Sequence, residues 1–263
     1  MLCAVAGEIF LLHWSIKMKL HLPLTFILLL AAFSSVNAKD DITKELMTSN
    51  GKTRVFYLYV PSTVKTSAPL IVMLHGSNRT GVTLVEKWKD YAKKEGIIIA
   101  GPDATDLRGW GSPQDGPDFL RDLVEELKAK YPINPRRVYL FGHSAGASFA
   151  LHMSLMESQY FAATAIHAGA LNDEGMDLIP LAKRKIPISI QVGDSDEFFP
   201  LKIVRSTRDA LKNAEIPVEL VEIKNHDHWY YDQAAKFNQT AWEFLKKYEL
   251  EADPQYRKYK WNE

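Results

Sequence analysis

Cysteine is nearly missing from this chain: Cys3 is the only one in 263 residues, and it lies in an N-terminal stretch that stands apart from the rest. Beyond it there is no thiol for a disulfide, a cysteine nucleophile or a thiolate metal site. An excess of either charge is missing too. The 32 Lys and Arg balance the 32 Asp and Glu, so no broad field favours nucleic acid or an anionic membrane. No H-E-x-x-H or comparable spacing relates the 8 histidines, and no metal is expected. Internal repeats and low-complexity linkers are also absent, which favours one domain.

The apolar run over residues 24–33 is too short to span a bilayer comfortably. Met18-Lys19-Leu20-His21 gives it a weakly basic start, and Val36 and Ala38 place small residues near its end before Lys39-Asp40-Asp41 turns polar. That is the layout of a cleaved secretory signal. Residues ahead of Met18 read as an upstream extension, so the start is Met1 or Met18. The expected organisation is a signal peptide with that extension over 1–38 and one domain over 39–263, secreted or periplasmic, and off the membrane after cleavage.

With 46% hydrophobic and 24% charged residues, that domain has the composition of a globular protein able to bury a sizeable core without disulfides. Residues 42–60 read as two strands about Ser49-Asn50-Gly51, a hairpin signal. Strand–helix alternation follows. Leu70-Ile71-Val72-Met73-Leu74 and Ile97-Ile98-Ile99-Ala100 are continuous apolar runs, as expected of strands buried on both faces. Later strands are read at 138–141, 163–167, 186–192 and 218–223, and helices at 84–94, 119–131, 147–156, 201–214 and 230–248. The expectation is an α/β fold: a mostly parallel, doubly wound sheet with an N-terminal β-hairpin. The tail past Glu249 is expected to pack loosely or fray.

Gly142-His143-Ser144-Ala145-Gly146 falls where a strand becomes a helix. A serine hydroxyl is a weak nucleophile and needs a base. A sharp strand-to-helix turn lifts its oxygen out of the sheet, and only glycine fits two residues to either side. An oxyanion hole would come from the backbone amides of Ala145 and of Ser77, in Leu74-His75-Gly76-Ser77 after a buried strand; His75 reads as a loop-shaping residue. The acid and base should follow later strands, in the order Ser, Asp, His. In Gly193-Asp194-Ser195-Asp196 two aspartates compete. Asp196 lies farther along the loop and is favoured, and Asp194 reads as a turn residue. In Asn225-His226-Asp227-His228-Trp229 either histidine could be the base. His228 is favoured because it is far enough past the strand to fold back over Ser144. His143, His152 and His167 have no assigned role. Trp110, Phe198 and Trp229 are candidates for an acyl or aryl pocket, or simply for packing. Asn78-Arg79-Thr80 and Asn238-Gln239-Thr240 match the glycosylation sequon.

These residues, with Asp118-Phe119-Leu120 and the run Tyr131-Pro132-Ile133-Asn134-Pro135-Arg136-Arg137-Val138-Tyr139 leading into the serine motif, carry a resemblance to the α/β-hydrolase superfamily. Within it, the chain most resembles the polyhydroxybutyrate-depolymerase-like and feruloyl-esterase-like exported esterases, from about Arg54 to Leu245. The resemblance implies a serine esterase with Ser144 as nucleophile, Asp196 as acid and His228 as base, without cofactor. Ala147-Ser148 replaces the glycine and methionine of that pattern, and disulfides and a separate substrate-binding domain are missing. A soluble or oligomeric ester is therefore expected rather than an insoluble polyester. A serine peptidase on the same scaffold, and an inactive binding module, are the alternatives. Oligomeric state is not indicated.

Overall fold

The computed structural model describes residues 40–257 and 259; the expected signal segment lies outside them. A hairpin opens the fold, β1 (Thr43–Ser49) and β2 (Lys52–Tyr59) pairing antiparallel. Asn50 and Gly51 at its turn both have positive φ, 50° and 72°, the handedness that two-residue hairpin turns need. The hairpin joins a sheet of β3 (Ala68–Leu74), β4 (Ile98–Pro102), β5 (Ile133–His143), β6 (Ala163–His167), β7 (Ile188–Gly193) and β8 (Val218–Ile223). The order is β1-β2-β4-β3-β5-β6-β7-β8, antiparallel as far as β4 and parallel from there to β8.

Side chains alternate across a strand, and this sorts each continuous apolar run into two cores. Leu70, Val72 and Leu74 meet Leu120, Leu123 and Phe149 on one face, from α2 (Pro117–Lys130) and α3 (Ala145–Met156). Ile71 and Met73 meet Trp88 and Phe237 on the other, from α1 (Gly81–Glu95) and α6 (Ala234–Leu245). A short α4 (Asp173–Leu178) with a 3-10 turn, and α5 (Leu201–Asn213), complete the helices among the described residues.

The expected mostly parallel sheet is therefore present, with local differences. β5 begins at Ile133, earlier than the apolar run suggests, because Ile133 pairs with Ala68 across a register shift. α6 begins at Ala234 rather than 230: Tyr230 is fully buried against Phe141 and His143, which draws residues 230–233 off the helix into a turn. The described part of the tail is better held than expected. Leu250 is buried and donates its amide to Arg136 at 2.9 Å, and the Gln255 amide reaches the Gln159 carbonyl at 3.1 Å.

A buried ion pair braces the loop between β4 and α2. Arg54 reaches Asp115 at 2.7 Å and lies 3.5 Å over the Phe119 ring. Asp115 also accepts the amides of Thr105 (2.9 Å) and Gly111 (3.0 Å). Removing one partner strands the other's charge in the core, so Asp115→Ala should lower unfolding free energy by about 3–5 kcal/mol in urea titrations. The apolar double exchange Arg54→Met with Asp115→Leu should recover only part of that loss, because the Thr105 and Gly111 amides then lose their acceptor.

Candidate active site

The turn from β5 into α3 holds Ser144 at φ 58°, ψ −122°. A non-glycine residue there is strained by about 1–3 kcal/mol, and the surroundings keep it in place. The Ser144 amide donates to the His167 carbonyl at 3.1 Å, and its own carbonyl accepts from Ala147 at 2.9 Å and Ser148 at 3.1 Å. A β-carbon on Gly146 would lie 2.0 Å from the Leu74 carbonyl oxygen, and one on Gly142 would lie 2.3 Å from that of Gly146. The flanking glycines are thus a packing requirement, letting α3 start against the end of β3.

Three loops at the C-terminal ends of the parallel strands converge here. His228 Nε2 lies 2.9 Å from Ser144 Oγ, and His228 Nδ1 lies 2.9 Å from Asp196 Oδ2. The other Asp196 oxygen accepts the amides of Phe198 (2.9 Å) and Phe199 (2.8 Å). Burial pushes the Asp196 carboxyl up, but the bonds from His228 and these amides outweigh it, and the net is below the ordinary carboxylate value. Since Asp196 is an acceptor on Nδ1, that nitrogen carries the proton and Nε2 faces the serine hydroxyl as acceptor.

The competing residues take other places. Asp194 accepts the Asn225 amide at 2.9 Å and so ties the loops after β7 and β8 together, while the carboxylate bonded to His228 is that of Asp196. His226 is buried and contacts His167. His75 accepts the Ala104 amide on Nε2 at 3.1 Å, so its Nδ1–H donates to the Gly76 carbonyl at 2.8 Å; it shapes the loop, as the sequence suggests.

That loop lies against the serine, since a β-carbon on Gly76 would be 3.2 Å from Ser144 Cβ. The Ser77 hydroxyl donates to Arg108 at 2.7 Å, and the Asn78 amide to Leu107 at 2.6 Å. The amides of Ser77 and Ala145 make no hydrogen bond among the described residues, and Ala145 opens α3, where unpaired N–H groups favour negative charge.

A cleft of about 650 Å³ opens over Ser144 and His228. Phe198, 73% exposed, and Trp229, 43% exposed, stand at its wall. Trp110 does not line it. Its indole N–H donates to the His75 carbonyl at 2.8 Å and its ring stacks on Phe149 at 5.5 Å, so it braces the loop and borders a neighbouring depression. Other lining residues, Arg79 and Tyr231 among them, were not read as pocket residues from the sequence. Arg79 lies 5.2 Å over Trp229 and 5.1 Å over Tyr231; Arg79 and Tyr231 each lie two residues past the runs that pointed to Ser77 and His228. Among the described residues no three His, Cys, Asp or Glu converge as metal ligands.

The parallel sheet, the strained serine turn and the loop-borne histidine and aspartate define an α/β hydrolase. The chain belongs to the dienelactone hydrolase family, whose sequence pattern matches residues 102–254. It is 27% identical over 155 residues to a bifunctional acetylxylan esterase/xylanase of Neocallimastix patriciarum, covering 56% of this chain and 22% of that one. It is 29% identical over 156 residues to poly(3-hydroxyalkanoate) depolymerase C of Paucimonas lemoignei, covering 54% and 37%. The chain thus spans less than half the length of these curated relatives. Among solved structures, a ferulic acid esterase shares the fold with a TM-score of 0.65 at 17% identity, covering 79% of this chain and 98% of that one. An S-formylglutathione hydrolase from Agrobacterium tumefaciens does so with a TM-score of 0.63 at 18% identity, covering 78% and 94%.

The depressed Asp196 carboxyl has a consequence for stability. Its folded value lies below the unfolded value of about 3.9, so its contribution is present above that value and lost as pH falls through the folded one. Asp196→Asn should lower the urea midpoint at neutral pH and lose less stability than the native protein on acidification. Gly146→Ala should destabilise by about 1–3 kcal/mol or more, because the new methyl meets backbone rather than a side chain that can turn.

Proposed function

We propose that this protein is a serine hydrolase of carboxylic esters acting through an acyl-enzyme on Ser144. The observation that carries the reading is the continuous Ser144 Oγ–His228 Nε2 and His228 Nδ1–Asp196 Oδ2 contact, 2.9 Å at each step, at the floor of an open cleft. His228 Nε2 takes the hydroxyl proton as Ser144 Oγ attacks the ester carbonyl carbon. Asp196 holds the ring in the required tautomer and stabilises the imidazolium. The amides of Ser77 and Ala145 are the donors for the oxyanion. His228 then gives its proton to the departing alcohol, and water attacks the acyl group by the same route in reverse.

Relatives named as an acetylxylan esterase and a polyhydroxyalkanoate depolymerase support an ester over an amide. The open cleft with Phe198 and Trp229 at its wall suits a soluble or oligomeric ester that brings an apolar or aromatic group. We place residues 39–263 as the working domain behind a cleaved leader, in a secreted or periplasmic protein, which N-terminal sequencing of the exported product would check. The test of the chemistry is hydrolysis of p-nitrophenyl acetate. The native protein should turn over, and Ser144→Ala should lose at least roughly 10⁴-fold in kcat. Asp196→Asn should lose roughly 10⁴-fold with the fold retained. Absence of both turnover and fluorophosphonate labelling at Ser144 would instead favour a binding module, and faster cleavage of aminoacyl amides than esters a peptidase.

A further inference from the structure

Three histidines without a role in this chemistry are joined beneath the site. His143 ends β5 and His167 ends β6, directly paired across the two strands; His226 lies in the loop after β8. They are 3%, 0% and 4% exposed. His143 Nδ1 lies 3.2 Å from His167 Nδ1, and His167 Nε2 lies 3.1 Å from His226 Nε2. The Gln233 side-chain amide closes the far end, 3.5 Å from His226 Nδ1. At the near end the His143 ring lines the cleft and faces the His228 ring, centroids 5.1 Å apart at 34°.

A neutral imidazole has one N–H and one bare nitrogen. His167 uses both nitrogens toward other imidazoles, so it donates through one and accepts through the other. His143 Nδ1 also lies 3.3 Å from the His167 carbonyl, which can only accept, so His143 Nδ1 carries the proton. His167 Nδ1 then accepts, and His167 Nε2–H donates to His226 Nε2; the hydrogen bonds run in one direction along the row. Protonating His167 would turn both of its nitrogens into donors toward imidazole nitrogens, at a fully buried position. We propose that His143, His167 and His226 form a neutral, hydrogen-bonded ladder that positions His228 from below. The inference rests on the acyl-transfer reading for His228; the ladder itself stands on geometry alone.

The surroundings favour an uncharged ladder. Around His143 lie the rings of His228, Tyr230 and Tyr231, with Asp196 and Arg79 the nearby charges. Phe237 and Tyr230 enclose His167, and β7 offers only the uncharged Gln191 beside it. Near His226 the charged groups are Asp227, Asp196 and Lys236, with Gln233 and Phe237 in contact. Burial, and then the neighbouring His228, push His143 down to about 3. Burial, with the adjoining imidazoles, holds His167 well below the ordinary histidine value, and burial also lowers His226. A proton on His143 would place a second positive charge against the ring that must become imidazolium. The ladder also has a mechanical side. The Ser144 amide rests on the His167 carbonyl at 3.1 Å, and the His226 carbonyl accepts the Ser195 amide at 3.0 Å next to Asp196.

The test is a ¹⁵N NMR titration of the histidine side chains of the whole protein from about pH 5 to about pH 8. It is paired with pH profiles of kcat/KM on p-nitrophenyl acetate for native protein, His167→Leu and His167→Gln. In the native protein the signals of His143, His167 and His226 should stay those of single neutral tautomers, and the acid limb of kcat/KM should fit one ionisation. His167→Leu breaks both rungs; kcat should fall roughly tenfold with KM within about twofold, and the acid limb should require a second ionisation. His167→Gln, whose amide can both donate and accept, should restore the single ionisation. A ladder histidine that titrates in the native protein, or a folded His167→Leu variant with an unchanged profile, overturns the proposal. If His167→Leu does not fold, the native titration and the Gln variant decide. Loss of the acyl-transfer reading is seen separately, as a native protein that turns over no ester while its ladder signals remain neutral.

Discussion

Everything at this site depends on one close contact: the start of α3 against the carbonyl ends of β3. With hydrogen alone on the α-carbon of Gly146, the helix begins within reach of the Leu74 and His75 carbonyls. Ser144 is then forced into a positive-φ turn that lifts its hydroxyl off the sheet. Strain at one residue is sustained by the packing of two strands and a helix, each deeply buried on its own account. The same contact sets Ala145 at the helix N-terminus and brings Gly76 against the serine side chain, so nucleophile and oxyanion donors are placed by one arrangement.

The parallel sheet supplies the rest. Strands that run the same way deliver their following loops to one edge, so residues 84 apart in the chain, Ser144 and His228, come within hydrogen-bonding distance. These loops are fastened rather than free. Asp194 ties the loop after β7 to that after β8, and the two Phe amides bind Asp196. Trp110 secures the loop after β4 to the oxyanion loop, and Asp115 braces the loop after β4 internally and to Arg54. The histidine row runs under the serine turn from the ends of β5 and β6 to the loop after β8. The geometry of three side chains thus rests on buried polar contacts that a list of the three would omit.

Much of this was legible in the sequence, for identifiable reasons. Continuous apolar runs mark strands buried on both faces, and the short spacing of glycines about Ser144 marks a turn with no room for side chains. The reading of Asp196 and His228 over Asp194 and His226 rested on loop length, and the structure brings the favoured pair to Ser144. Elsewhere local pattern misled or was silent. The sequence reads a helix from Tyr230, yet Tyr230 is held in the core and the helix starts at Ala234. Trp110 lies on a loop at the site's edge of the sheet, but its indole N–H found the His75 carbonyl and turned the ring away from the cleft.

What the sequence determined by itself was the alternation of elements, the place of the strained turn and the residue types able to do acyl chemistry, because these follow from periodicity, sterics and side-chain chemistry within a few residues. Only the tertiary structure decided which aromatic residues face the cleft, that Arg79 stacks across Trp229 and Tyr231, and that His143, His167 and His226 form a row. Those outcomes depend on cross-strand register and on loops meeting from distant parts of the chain. No local pattern encodes that β5 and β6 pair with His143 beside His167, and that pairing is what turns three unassigned histidines into neighbours.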